Sequence, residues 1–214
     1  MAVRDTLLVL LTAGPAYGFQ LHGELTRRTG GRRVVNVGQT YATLDRLTAR
    51  KLIESAGTTD DGLPLHGLTD AGRTEALAWL DGADAAGADP WDETVDRVLV
   101  AASLPGIDAD DVVGAERRRW EERLAEASAR ATEAAADPAA ALSRLAAHAE
   151  QERARAALAW IGAVAEATPE PFAPAAERPR RGRRPGSRAP AQEDAGTEGT
   201  TSPDGPADDQ STSA

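Results

Sequence analysis

Apolar positions along the first eighty residues change spacing several times, and each change marks an element. Val3–Thr12 is a nearly continuous apolar run that predicts a buried helix, and Gly14-Pro15 breaks it. Tyr17–Arg28 predicts a second helix, with Tyr17, Leu21 and Leu25 on one face at i, i+4 spacing and Gly30-Gly31 as its C-terminal stop. A third helix is expected from Asn36 to about Arg50. Asn36 is a good N-cap, and Gln39 stands three residues on, where a capping-box partner belongs. Leu52–Ala56 and Leu63–Leu68 then predict two strands around the turn Thr58-Thr59-Asp60-Asp61-Gly62, in which Asp-Gly is the strongest hairpin signal. Thr69 caps a fourth helix, Asp70–Leu80. Three helices followed by a hairpin is the order of a winged helix-turn-helix, although many short α+β domains share it.

The pattern changes again beyond residue 81. Residues 82–90 predict a linker, and 91–168 have the Ala-, Glu-, Arg- and Leu-rich composition of helices. The expected helices are Asp92–Ser103, a long one at Asp108–Ala135 capped by Asp108, and one opened by Asp137-Pro138 that runs to about Ala167. These helices carry few large apolar residues, so pairing with a second copy is expected to bury their faces. An intrachain helical hairpin packed on the first domain is the alternative. From residue 169 the chain is Pro, Gly, Ser, Thr and charge, with Phe172 its only aromatic, which predicts a disordered tail over 169–214. The expected architecture is mainly α with a small β-hairpin. A winged helix-turn-helix at 1–81 is followed by a helical dimerisation or effector region and the tail.

Charge refines this picture. The formal net charge is −10, which alone argues against nucleic acid. The acidity is uneven, however: residues 1–80 carry a net +1, residues 81–168 a net −9 and residues 169–214 a net −2. The first third can therefore still face phosphate. With no cysteine, disulfides and thiol chemistry are excluded. No apolar stretch approaches the roughly 18 residues of a membrane span, and no signal-peptide pattern is present, so a cytoplasmic protein is expected.

The third helix carries the chemistry. Gln39, Thr43, Arg46 and Arg50 fall at i, i+4, i+7 and i+11, in one polar and cationic stripe, while Tyr41, Leu44 and Leu47 are expected to pack inward. Gln reads adenine bidentately, Arg reads guanine, and Thr hydrogen-bonds or contacts a methyl group. Recognition helices use their N-terminal residues on base edges, which favours Gln39, Thr40 and Thr43. Taken alone, such a stripe is more often a solvated face; its place inside a helix-turn-helix pattern is what raises DNA reading above that.

Several motifs now stand in one order. They are Leu7–Leu21 with its Gly14-Pro15 and Tyr17-Gly18-Phe19, Val35–Leu47 with Tyr41 and the ending Leu44-Asp45-Arg46-Leu47, Leu52-Ile53-Glu54-Ser55, and Leu68-Thr69-Asp70-Ala71-Gly72-Arg73. Together they resemble the PadR family of transcriptional regulators across residues 3–80. The resemblance implies a homodimeric repressor that binds a double-stranded DNA operator, with a helical C-terminal dimerisation region. The residues expected to contact DNA are Gln39, Thr40, Tyr41, Thr43, Arg46 and Arg50, and with no nucleophile elbow, phosphate-cradling loop or paired catalytic carboxylates in the chain, no enzymatic activity or cofactor is expected. The chain departs from the family at Ala42, usually proline; at Lys51, usually a glycine; and at His66, usually aromatic. The wing tip Asp60-Asp61-Gly62 lacks the family's arginines, and two carboxylates there would repel phosphate, so weaker or more salt-sensitive binding is expected. Arg32 and Arg33, just before the recognition helix, are expected to supply backbone contacts instead.

Other candidates are weaker. Some PadR-like regulators bind flat aromatic effectors between the dimer's helices, and Trp120 or Trp160 would stack such a ligand; core or interface packing is the commoner role of a helix tryptophan. His22, His66 and His148 have no metal-ligand spacing, so no metal is expected. Arg180, Arg181, Arg183 and Arg184 lie in an Arg-Gly-rich segment resembling a minor-groove hook, for which a charged linker is the favoured alternative. A winged-helix interaction module that does not read DNA is the competing overall reading, favoured by the acidic wing.

Overall fold

The computed structural model describes residues 2–137, 139–167 and 170–175. The helices are α1 (Ala2–Leu10), α2 (Gly18–Arg28), α3 (Val37–Ala49), α4 (Asp70–Leu80), α5 (Pro90–Ser103), α6 (Ala109–Ala135) and α7 (Ala141–Ala167). The strands are β1 (Ala16–Tyr17), β2 (Ile53–Thr58) and β3 (Pro64–Leu68). A single 3-10 turn, Leu11–Ala13, extends α1.

Local signals set most of these limits. The side chain of Asn36 accepts from the Gln39 amide at 2.8 Å and the Gln39 side chain accepts from the Asn36 amide at 3.2 Å, closing the capping box. Thr69 caps α4 through the Gly72 amide, Asp89 caps α5 and Asp108 caps α6. α2 and α3 end alike. Gly31 N–H reaches Thr26 O and Gly30 N–H reaches Arg27 O; Leu52 N–H reaches Leu47 O and Lys51 N–H reaches Thr48 O. Both are Schellman motifs whose C′ residue must be left-handed. Gly30 meets that requirement without strain, whereas Lys51 takes φ 57° with a side chain.

The sheet has three antiparallel strands in the order β1-β3-β2, where the sequence pattern predicted only the two-stranded hairpin. Ala16 and Tyr17 pair with His66 and Leu65. Tyr17 is therefore a strand residue and not the first apolar position of α2. The β2–β3 ladder carries an irregularity between Ser55 and Thr58, where Gly57 has φ 96°.

One core joins α1, α2, α3, the sheet and α4, and it continues through Val100 and Ala101 of α5 and Leu104 just beyond it into Val112 of α6. Residues 82–90 thus connect elements that share a core. A second core, around Val98, Val113, Trp120, Ala154, Ala157 and Ile161, holds α5 and the α6–α7 hairpin together. At 27 residues each, α6 and α7 are about 40 Å long. Small buried residues, Ala127 and Ala134 on α6 with Ala147 and Ala154 on α7, let their axes approach closely.

α5 also buries charge. Arg97 donates from Nε to Trp79 O at 2.5 Å, from one terminal nitrogen to Glu116, and from the other to Asp84 at 2.8 Å. Trp79 Nε1 donates to Glu93 at 2.5 Å, while Thr94 Oγ1 donates to Glu116 at 2.7 Å and accepts from Trp120 Nε1 at 2.9 Å. The network ties α4, α5 and α6 together. Burial raises the pKa of Glu93, with Trp79 and Arg97 opposing it.

Residues 170–175, which the composition placed in a disordered tail, lie against α2. Phe172 N–H donates to Ser103 O at 3.2 Å, and Ala175 N–H donates to Glu24 at 2.7 Å.

Candidate nucleic-acid interface

α2 and α3 form the helix-turn-helix. Leu21 and Leu25 of α2 and Leu44 and Leu47 of α3 are all buried in the first core. The inward stripe of α3 is Thr40, Leu44 and Leu47. That corrects the expected inward set at its first position and removes Thr40 from the base-reading candidates. Thr40 is fully buried, and its hydroxyl lies 3.0 Å from His22 Nδ1. The local signal was ambiguous, because Thr40 and Tyr41 both stand within a turn of Leu44. The α2 histidine satisfies the buried hydroxyl and decides between them.

Tyr41 is 43% exposed and stands over the start of α2, so close that a Cβ built on Gly18 would lie 2.6 Å from its Cε1. The Tyr-Gly-Phe motif therefore has a packing reason: only a glycine at position 18 admits the tyrosine ring. Directly opposite the buried stripe, by helical geometry, are Gly38, Ala42, Asp45 and Ala49, all exposed. Gln39, Arg46 and Arg50 flank that outward face and are also exposed. Thr43 is half-buried, its hydroxyl donating to Gln39 O at 2.8 Å, and Arg46 Nε donates to Ala42 O at 2.9 Å. Thr43, Arg46 and Arg50 share a largely apolar cleft with Val3 and Arg4 of α1. Asp45, in mid-face, went unremarked in the sequence because it interrupts a cationic stripe. So did Val34 and Val37, which are exposed at the start of α3.

Arg32 and Arg33 reach towards α5, Arg32 still exposed and Arg33 half-buried. Arg32 donates to Asp92 at 2.8 Å and Arg33 Nε to Asp96 at 2.5 Å, with a second Arg33–Asp92 approach of 3.4 Å. Burial raises the pKa of Asp96 while Arg33 and Arg32 oppose the shift; burial works to lower Arg33, and Asp96 and Asp92 outweigh it. The two arginines brace the α2–α3 loop on α5. In the wing, Gly62 N–H closes the turn on Thr59 O at 2.8 Å, and Asp60 and Asp61 sit at its tip. His66 pairs with both neighbouring strands, and burial lowers its pKa against the pull of Asp45.

Among the tryptophans, Trp91 stacks edge-on against Trp120 and Trp160, at 6.2 and 5.2 Å between centroids. Trp120 is buried, with the Arg123 guanidinium 4.9 Å over its ring. Trp160 is half-buried. Arg180, Arg181, Arg183 and Arg184 lie outside the described residues. Among the described residues no group of acidic, histidine or cysteine side chains is placed to hold a metal ion, and no helix is long and apolar enough to cross a membrane.

A capped helix mounted on a second helix, followed by a hairpin that packs back on both, defines a winged helix-turn-helix of the DNA-binding type. Residues 7–78 match the model of the transcriptional regulator PadR-like family, a family of transcription regulators and not of enzymes. Crystal structures of Bacillus subtilis PadR with operator DNA and with p-coumaric acid align at 19% and 18% identity with TM-scores of 0.36 and 0.34, each covering 78% of this chain and 99% of that chain. No curated protein matches the chain.

Proposed function

We propose that this chain is a cytoplasmic, homodimeric repressor that reads an operator with α3. The observation that carries the proposal is the mounting of that helix. Thr40, Leu44 and Leu47 anchor it, the capping box fixes its start, and Gln39, Tyr41, Arg46 and Arg50 remain exposed beside it. Arg46 and Arg50 supply the guanine or phosphate contacts. Gln39 reads a base by leaving its capping-box bond, and Thr43 offers its methyl group. Asp45 on the outward face accepts from a cytosine amino group. Arg32 and Arg33 act as struts. Dimerisation runs through the 91–168 region, where Leu142 and Leu145 of α7 are 81% and 66% exposed. A flat aromatic ligand that relieves repression stacks at the tryptophan cluster. Trp160 is the accessible ring and Trp120 the buried wall. The tail arginines 180, 181, 183 and 184 add non-specific phosphate contact.

The acidic wing tip favours one second reading, an interaction module that has kept the winged fold without reading DNA. Polarisation-detected binding to the chain's own upstream DNA and to scrambled DNA separates the two. The regulator binds the upstream sequence alone, and Arg46→Ala weakens it by about 1–3 kcal/mol without altering the fold. Equal weak binding to both DNAs, unmoved by Arg46→Ala, leaves the interaction module.

A further inference from the structure

Residues 170–175 reach α2 only three residues after the end of α7. Two of the side chains that hold them, Arg28 and Glu24, are almost wholly buried. Arg28, whose side chain is 0% exposed, donates to Ser103 O and, at 2.9 Å, to Phe172 O. Its Nε holds Glu24 at 2.5 Å, and Glu24 in turn accepts the Ala175 amide at 2.7 Å. The guanidinium carbons of Arg27 and Arg28 lie 4.2 and 4.3 Å from the Phe172 ring centre. Pro174 lines one side of a cleft whose other walls include Leu10, Leu21 and Leu104.

The register suits an extended peptide. Three residues from Phe172 to Ala175 span about 10 Å, close to the roughly 12 Å, or just over two turns, of α2 between Gln20 and Arg28. Pro171 and Pro174 restrict φ, so less freedom is lost on docking. A buried ion pair along α2 that also bonds the Phe172 carbonyl and the Ala175 amide is a recognition groove. We propose that residues 170–175 are its dedicated occupant, a strap that locks the end of α7 to α2, and that releasing the strap loosens the helix on which α3 is mounted.

Hydrogen exchange on the full chain tests this without reference to DNA. In the wild type the Phe172 and Ala175 amides exchange at least tenfold more slowly than unprotected amides. Phe172→Ala abolishes that protection. It also speeds exchange of the Gly30 and Gly31 amides, which close α2, about tenfold, while Gly82 and Ala83 at the end of α4 keep their rates. A labelled peptide of residues 169–176 then binds Phe172→Ala and restores protection, but does not bind the wild type, whose groove is filled. Should Phe172→Ala lose protection throughout, Arg27→Ala carries the test: its side chain is half exposed, lies over the ring and pairs with Glu24, and it raises exchange at Phe172 without altering α4. Unprotected Phe172 and Ala175 amides in the wild type overturn the proposal. So does an α2 terminus whose exchange is unmoved by either variant.

Discussion

Lys51 is the only described residue other than glycine with a positive φ, and it stands at the C′ position of the Schellman motif that ends α3. A left-handed conformation costs a residue with a Cβ roughly 1–2 kcal/mol. Glycine removes that strain, but its greater freedom in the unfolded chain takes back about 0.5–1 kcal/mol. Lys51→Gly is therefore expected to stabilise the fold by about 0.5–1 kcal/mol, which for a protein of this size raises Tm by about 1–4 °C. The motif's other parts stay in place, because they are backbone bonds from positions 51 and 52 to Thr48 and Leu47. Urea denaturation with an unchanged m-value is the assay. Lys51→Ala is the control, since alanine discards the ammonium group and keeps the Cβ; it should gain nothing. If Lys51→Gly is no more stable than Lys51→Ala, backbone strain at position 51 is not what limits the end of α3.

Three further perturbations test the packing. A Cβ at Gly72 would lie 1.9 Å from Leu52 O, so Gly72→Ala must push α4 off β2 and is expected to cost about 2–3 kcal/mol in chemical denaturation; a cost under about 0.5 kcal/mol would contradict the contact. Arg97→Met strands Glu93 and Glu116 in the interior and is expected to cost about 3–5 kcal/mol. Adding Glu116→Gln should recover about 1 kcal/mol or more of it in a double-mutant cycle, and strict additivity would dissolve the network. Burial raises the pKa of Asp5, with Arg4 opposing, and one of its carboxylate oxygens is buried with no hydrogen-bond partner among the described residues. A folded pKa above the unfolded one gives stability that is present at low pH and is lost as pH rises through the folded value. Asp5→Asn should therefore be the more stable protein at about pH 8, with its advantage shrinking as pH falls towards about 4; a pH-independent difference in Tm counts against the burial argument.

The legible features were those decided within one turn of chain. The capping box, the Gly30-Gly31 stop, the Asp-Gly hairpin and the Thr69 and Asp108 caps all depend on neighbours two to five residues away. Long-range partners decided the rest. β1 is two residues of Ala-Tyr that become a strand only because β3 lies beside them. Glu93, Asp96 and Arg97 look like surface in any composition and are buried because they satisfy Trp79, Arg33 and Glu116. The strap looked unable to order, since Phe172 is its only large apolar side chain. Its ordering comes from hydrogen bonds to Arg28 and Glu24, about 150 positions earlier. The reading helix was legible as a helix and as a candidate interface, but not in its rotation, which His22 fixes through Thr40.

This redistribution of charge bears on how the chain meets DNA. The acidic excess of residues 81–168 repels phosphate less than its net −9 suggests, because Asp92 and Asp96 are spent on Arg32 and Arg33, and Glu93, Glu116 and Asp84 surround Arg97. The same pairs withdraw two arginines from the reading face. In the dimer proposed above, α3 then offers Arg46 and Arg50 from each copy, about four phosphate contacts, and the slope of log affinity against log salt should be about −3.6. Were Arg32 and Arg33 also on phosphate, about eight contacts would give a slope near −7. A variant with Arg180, Arg181, Arg183 and Arg184 changed to Ser isolates the winged domain for the measurement. A steep slope in that variant, made shallower by Arg33→Ala, would mean that DNA strips the arginines from α5 on binding. A shallow slope indifferent to Arg33→Ala on the DNA side, together with a loss of thermal stability in the same variant, would place Arg33 where the geometry puts it, in the brace behind the recognition helix.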